Sequence, residues 1–188
     1  MTTPRLAKHI FFVFTCLTLS VISSSAKEYN IKSVSFNKGI YQVDQRPING
    51  QIIDYYENEQ LKFRYTVLEG RLHGKAIEFF PNGTIKAERN YIFGKLFGEY
   101  VLYFKNGSQH LTMTVERNRY GQGEEVVDIR MAKKPGRKLK KLGDGYILFF
   151  DQQGNPYKSS ENLPIEEQSN FKLYHDDQEI YRNLIPEP

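Results

Sequence analysis

The chain has a single cysteine, Cys16, and it falls inside the first apolar stretch. If that stretch is removed as a leader, the mature chain holds no thiol, which excludes disulfide cross-links and cysteine nucleophiles. The fold must then rest on packing and backbone pairing. A long hydrophobic run is also missing. The apolar stretch from Ile10 to Ile22 spans 13 residues and is interrupted by Thr15, Thr18 and Ser20, against the roughly 20 needed to cross a bilayer. With Arg5 and Lys8 before it and Ser24-Ser25-Ala26 after it, the segment 1–26 reads as a cleavable export signal. Thr15 before Cys16 and Leu17 after it make a poor context for lipid attachment. The expected location is therefore the periplasm or the exterior, after cleavage near Ala26.

A strong excess of one charge is absent too. The chain carries +4, and losing Arg5 and Lys8 with the leader leaves +2, far from the basic excess of a dedicated nucleic-acid binder. Histidines outside the leader are limited to His73, His110 and His175, and none sits in a zinc-protease or nucleophile-base spacing. His175-Asp176-Asp177 is the one local metal-like triplet. No glycine-rich phosphate loop opens a helix. Asp54 and Glu78 recur at one repeat position, where the next copy has Leu102. Carboxylates on neighbouring strands can share a proton, but these two read more simply as half-exposed strand residues. The sequence points to no catalytic residue, metal site, cofactor or small-molecule substrate.

What is present is a period of 24 residues. Gly50, Gly74 and Gly98 follow it, as do Asn58, Asn82 and Asn106, and the aromatic pairs Tyr55-Tyr56, Phe79-Phe80 and Tyr103-Phe104. Gly70 and Gly94, Gly83 and Gly107, and Ile53, Ile77 and Val101 lie on the same grid. Each unit reads as a strand rich in β-formers, an Asn-Gly turn, a second strand and a glycine-containing return. The second strand alternates. Leu61, Phe63, Tyr65 and Val67, then Ile85, Ala87, Arg89 and Tyr91, then Leu111, Met113 and Val115 share a covered face. Lys62, Arg64 and Thr66, then Lys86, Glu88 and Asn90, then His110, Thr112 and Thr114 share the wet one. Adjacent aromatics in the first strand must point to both faces.

The pattern Gly74, Phe79, Phe80, Asn82, Gly83, Gly94, Lys95, Leu96, Gly98 resembles the bacterial variant of the MORN repeat, whose members are often labelled YwqK-type antitoxins. The resemblance covers about Ile48 to Gly107. It implies a meander of β-hairpins and, for function, an immunity or antitoxin role against a toxin. Eukaryotic MORN proteins supply an analogy for lipid contact. Three departures stand out. Glu59 replaces the turn glycine of the first unit. The third return dissolves into Asn118–Gly123. A fourth, degenerate copy at Gly145–Phe150 is closed by Gln153-Gly154-Asn155, with its aromatics one residue farther from the glycine.

Outside the repeat, Arg130 to Leu142 holds seven basic residues and no acidic ones. Pro135-Gly136 splits them, which favours a loop, and Lys138, Lys140 and Lys141 are candidate contacts for an acidic partner, anionic lipid or lipopolysaccharide. The segment from Ser159 is acidic, poor in apolar residues and carries three prolines, the composition of a mobile tail that can fold back on the basic loop. The expected fold is all-β: an elongated, single-sheet, MORN-like meander of tandem hairpins. It divides into a leader (1–26), lead-in strands (27–48), the repeats (49–121), a basic loop with the degenerate copy (122–158), and a polar tail (159–188). The expected function is a non-enzymatic protein-interaction module of the cell envelope. Tyr55, Phe79 and Tyr103 would form its contact stripe, and an unidentified protein would be its partner.

Overall fold

In the computed structural model, residues 26–120 and 123–183 are described, so residues 1–25 of the expected leader lie outside them. The lead-in segment holds β1 (Glu28–Asn30), a 3-10 turn (Ile31–Ser33), β2 (Ser35–Asn37), β3 (Ile40–Val43) and β4 (Arg46–Pro47). The sequence favours a strand from Ile31 to Phe36. Instead the Asn30 side chain accepts a 3.0 Å bond from the Lys32 amide and caps a turn, a local bond that competes with strand pairing.

The repeats form β5 (Gly50–Tyr55), β6 (Leu61–Leu68), β7 (Arg71–Phe79), β8 (Ile85–Ile92), β9 (Lys95–Leu96), β10 (Gly98–Tyr103) and β11 (Gln109–Arg117). After them come β12 (Glu124–Met131), β13 (Lys140–Phe150), β14 (Pro156–Tyr157), α1 (Ile165–Gln168), β15 (Phe171–His175) and β16 (Gln178–Asn183). One sheet runs β1-β5-β6-β7-β8-β10-β11-β12-β13-β15-β16, with β9 on β8 and β14 on β13, while β2, β3 and β4 pair separately. Strand β1 lies parallel to β5 and protects that edge; the other pairs are antiparallel. The all-β meander is as the repeat implies.

Register explains the two faces. Asp54, Phe63, Glu78, Ala87, Leu102 and Leu111 lie opposite one another across five strand pairs, on the covered side. One residue away, Ile53, Arg64, Ile77, Glu88, Val101 and Thr112 form the parallel row on the outer side. Buried Phe63, Tyr65, Val67, Ala87, Tyr91, Leu111, Met113 and Val115 bear out the covered face read from alternation, and Arg89 is buried with them at 1% exposure.

The hairpin turns share one geometry. The amides of Tyr56, Phe80 and Phe104 donate to the carbonyls of Gln60, Thr84 and Ser108 at 2.8–2.9 Å. Glu59 keeps that turn without glycine by adopting φ +63°, beside +81° for Gly83. The degenerate copy uses the same turn, Asp151 to Asn155 at 3.0 Å; its aromatic pair has simply moved one residue back along the strand. Turns are also tied sideways. Asn58 Nδ2 donates to the Pro81 carbonyl at 2.9 Å and Asn82 Nδ2 to the Lys105 carbonyl at 3.2 Å, which gives the asparagine period a physical cause.

At the opposite end, Gly70 sits where the lead-in segment clamps the sheet. It accepts from the Tyr41 amide (2.7 Å) and donates to Ile48 O (2.9 Å). A Cβ there would lie 2.5 Å from Ile40 Cγ2, and its φ is +71°, so both space and conformation require glycine.

The carboxy-terminal segment corrects the sequence reading. Residues 159–183 are not a mobile tail: they supply α1, β15 and β16 and bury Leu163, Ile165, Phe171 and Leu173. These four apolar residues are spent inward, which average composition conceals. Residues 159–170 cross the covered face as a strap. Ser160 Oγ accepts from the Leu96 amide at 2.8 Å and contacts Glu124. The Tyr41 hydroxyl accepts from the Ile165 amide at 2.9 Å, and Asn183 Nδ2 donates to Ser169 O at 2.6 Å. Among the described residues its acidic side chains form no ion pair with the basic segment; Glu161 pairs with Lys95, and Glu179 with Arg182 and Lys172. The sheet also curls, since the Tyr181 ring of β16 stands 5.3 Å from His110 of β11.

Candidate binding cleft and repeat face

Each repeat hairpin carries a bulge at one position. Pairing slips after Asp54, Glu78 and Leu102, so Tyr55 faces Leu61, Phe79 faces Ile85 and Tyr103 faces Gln109. The skipped residues are Lys62, Lys86 and His110. A bulge re-aims the residue it frees, and alternation alone had put all three on the wet face. Lys62 Nζ instead lies 3.3 Å from Asp54 Oδ2, and Lys86 Nζ 3.4 Å from Glu78 Oε2. The third copy replaces the pair by Leu102 and His110, and the His110 ring packs between Phe104 (4.3 Å) and Tyr181 (5.3 Å).

These two ion pairs border a cleft of about 440 Å³, walled by Tyr56, Phe63, Tyr65 and Phe79 of the repeats and by Glu166, Ser169 and Asn183 of the strap and last strand. A single sheet offers few clefts; the strap and the curl create this one. Behind its wall Arg89 Nη2 donates to Glu78 Oε1 at 2.6 Å and to Ser169 Oγ at 2.9 Å, and Ser169 Oγ donates to Glu78 at 3.0 Å. The Arg89 guanidinium stacks 5.2 Å from the Tyr100 ring. Burial works to raise the Glu78 carboxyl, but the charges of Arg89 and Lys86 outweigh it and hold it at about 2. Glu78 is thus a fixed anion that shares no proton. Burial pushes the Tyr65 hydroxyl up, with the Glu78 charge adding to it, so Tyr65 stays a neutral donor.

The expected aromatic stripe is uneven. Tyr55 is 48% exposed on the outer face. Tyr103 is half-buried and donates to Glu88 Oε1 at 2.7 Å. Phe79 is half-buried at the cleft. Between them the outer row carries Ile53, Ile77 and Val101; Ile53 and Val101 are buried under their neighbours and Ile77 is half-buried. Near the return turns Ile92, Phe93 and Phe97 are exposed at 42–45%.

The basic segment is a hairpin rather than a free loop, because Arg130 and Met131 end β12 and Lys140 and Lys141 begin β13. The Gly136 amide at its tip donates to Ser108 Oγ of the third turn at 3.1 Å. Lys138, Lys140 and Lys141 are exposed. Asp128 pairs with Arg130 and Lys141; Lys133, Lys134, Arg137, Lys138 and Lys140 have no ion pair among the described residues. His175 Nε2 lies 3.3 Å from Asp176, and among the described residues no group of three or more His, Cys, Asp or Glu is placed to hold a metal ion. No helix of the described residues is long and apolar enough to cross a membrane.

No family model, curated protein or solved structure matches the chain.

Proposed function

We propose that the chain is a non-enzymatic protein-interaction module of the cell envelope, exported by its leader, and that the outer face of the repeats is its contact surface. One observation carries this reading. An antiparallel sheet with one face on the core normally turns polar side chains outward, yet every repeat puts an aliphatic residue (Ile53, Ile77, Val101) and an aromatic one (Tyr55, Phe79, Tyr103) on that side. Arg64 and Glu88 alternate with these aliphatic residues, and Tyr55 beside them is 48% exposed; apolar side chains left in the open among polar neighbours mark a partner site. The test is in-cell crosslinking and capture of the tagged mature chain, beside the Tyr55→Ser/Ile77→Thr double variant. The reading expects a discrete partner whose recovery falls about tenfold in the variant while the circular dichroism spectrum is unchanged. Capture of nothing above background removes it.

The basic hairpin supports a second reading, contact with anionic lipid or lipopolysaccharide, because five of its cations lack an acidic neighbour among the described residues. Each such residue near an anionic surface contributes about 1 kcal/mol. Replacing Lys138, Lys140 and Lys141 by Glu should abolish sedimentation with phosphatidylglycerol vesicles; unchanged sedimentation rejects this reading.

A further inference from the structure

The cleft beneath the first two hairpin turns has a chemistry that neither surface above explains. Its volume of about 440 Å³ lies within the range of small-molecule sites. Its polar groups come as ammonium–carboxylate pairs, Lys62 with Asp54 and Lys86 with Glu78. Arg89 stands behind the wall and Glu166 at the edge. The three cations and three carboxylates cancel. An anionic ligand would meet Asp54, Glu78 and Glu166, and a cationic one would meet Lys62, Lys86 and the buried Arg89.

A ligand that suits both halves of each pair is neutral and both donates and accepts hydrogen bonds from the same group. A hydroxyl does this, with one O–H and two lone pairs. An ammonium can donate to its oxygen while the paired carboxylate accepts from its hydrogen, both as charge-assisted bonds. The rings of Tyr56 and Phe63 offer apolar surface for the C–H face of such a ligand. The polar wall is also rigid, since Glu78 takes Arg89, Ser169, Tyr65 and Lys86 at 2.6–3.4 Å, the kind of supporting shell that preorganises a site. In the third repeat, with Leu102 and His110 at the same positions, the His110 ring packs against Phe104 and Tyr181 in place of an ion pair.

We propose that this cleft binds a neutral saccharide, the size of one or two sugar rings, between the paired side chains of the first two repeats and the carboxy-terminal strap. The test uses the full mature chain, labelled with nitrogen-15 and titrated with glucose, N-acetylglucosamine and maltose, beside glucuronate and glucosamine as the charged counterparts. At least one neutral sugar should saturate shifts at the amides around Tyr56, Lys62 and Lys86, with an affinity above that of the charged sugars. Asp54→Asn and Lys62→Gln, which leave the buried Arg89–Glu78 pair intact, should each weaken it about tenfold, and substitution of the exposed Arg119 (Arg119→Ser) should not change it. Absence of saturable shifts with every neutral sugar overturns the proposal. So does tighter binding of glucuronate or glucosamine than of any neutral sugar, or an affinity indifferent to Asp54→Asn and Lys62→Gln.

Discussion

Arg89 Nη2 lies 2.6 Å from Glu78 Oε1, with 1% of the arginine side chain exposed and 12% of the glutamate. The pair sits on the covered face, where neighbouring positions are apolar. Removing one partner of such a pair leaves an uncompensated buried charge, at a cost of about 3–5 kcal/mol, while replacing both with apolar groups is often neutral. Glu78→Leu and Arg89→Met alone should each lower the urea midpoint sharply, and the double variant should recover most of it. Independent, additive losses would show that the two side chains do not act as a unit.

The same pair sets a pH limit. Glu78 is held at about 2 in the folded chain against 4.5 as a free side chain. A lowered carboxylate pKa contributes stability that is complete above the unfolded value and is lost as pH falls through the folded one. Stability should therefore fall between about pH 4.5 and 2, by about 3 kcal/mol from this group. In Glu78→Gln the component should vanish, read from denaturant melts across that range.

Glu59 is the non-glycine in the first hairpin turn, at φ +63°. Left-handed backbone costs an L-residue about 1–2 kcal/mol relative to glycine, partly offset by glycine's greater unfolded-state entropy. Glu59→Gly should raise Tm by a few degrees, whereas Gly83→Glu should lower it. Thermal melts decide, and a destabilising Glu59→Gly would mean that the side chain has a role the turn does not reveal.

Asn82 Nδ2 ties its turn to the next through the Lys105 carbonyl, and its Oδ1 accepts from the Thr84 amide at 3.2 Å. Asn82→Ala should cost about 1 kcal/mol, in line with a lost net hydrogen bond, with amide exchange quickening at Phe80–Thr84. No change at those amides would refute the sideways tie.

Ile165 is fully buried where the strap crosses the sheet. Ile165→Ala should cost about 2–5 kcal/mol, measured by chemical denaturation. A loss below about 1 kcal/mol would mean that the strap is dispensable to the core.

The 24-residue grid made the sheet, its hairpins and its covered face legible, because glycine turns and period-two alternation are local properties of the chain. Alternation even placed Arg89 on the covered face. Its partner Glu78 stood out as the repeat-mate of Asp54, but the contact between Arg89 and Glu78 depends on the register between two strands. Lys62, Lys86 and His110 were misplaced because a bulge is a relation between strands and leaves little trace in either. The strap was missed for a different reason. In an acidic segment, four well-placed apolar residues do not raise the average, although Phe171 and Leu173 at period two were a local signal.

The bond from the Ile165 amide to the Tyr41 hydroxyl joins residues 124 apart. An open repeat array gains or loses units freely, since each contacts only its neighbours. Here a strap of fixed span measures the width of the array. Adding or deleting one hairpin would leave it too short or too slack to reach Tyr41. The number of repeats is thereby tied to the length of the strap, and a contact this distant in sequence is among the slowest kind to form.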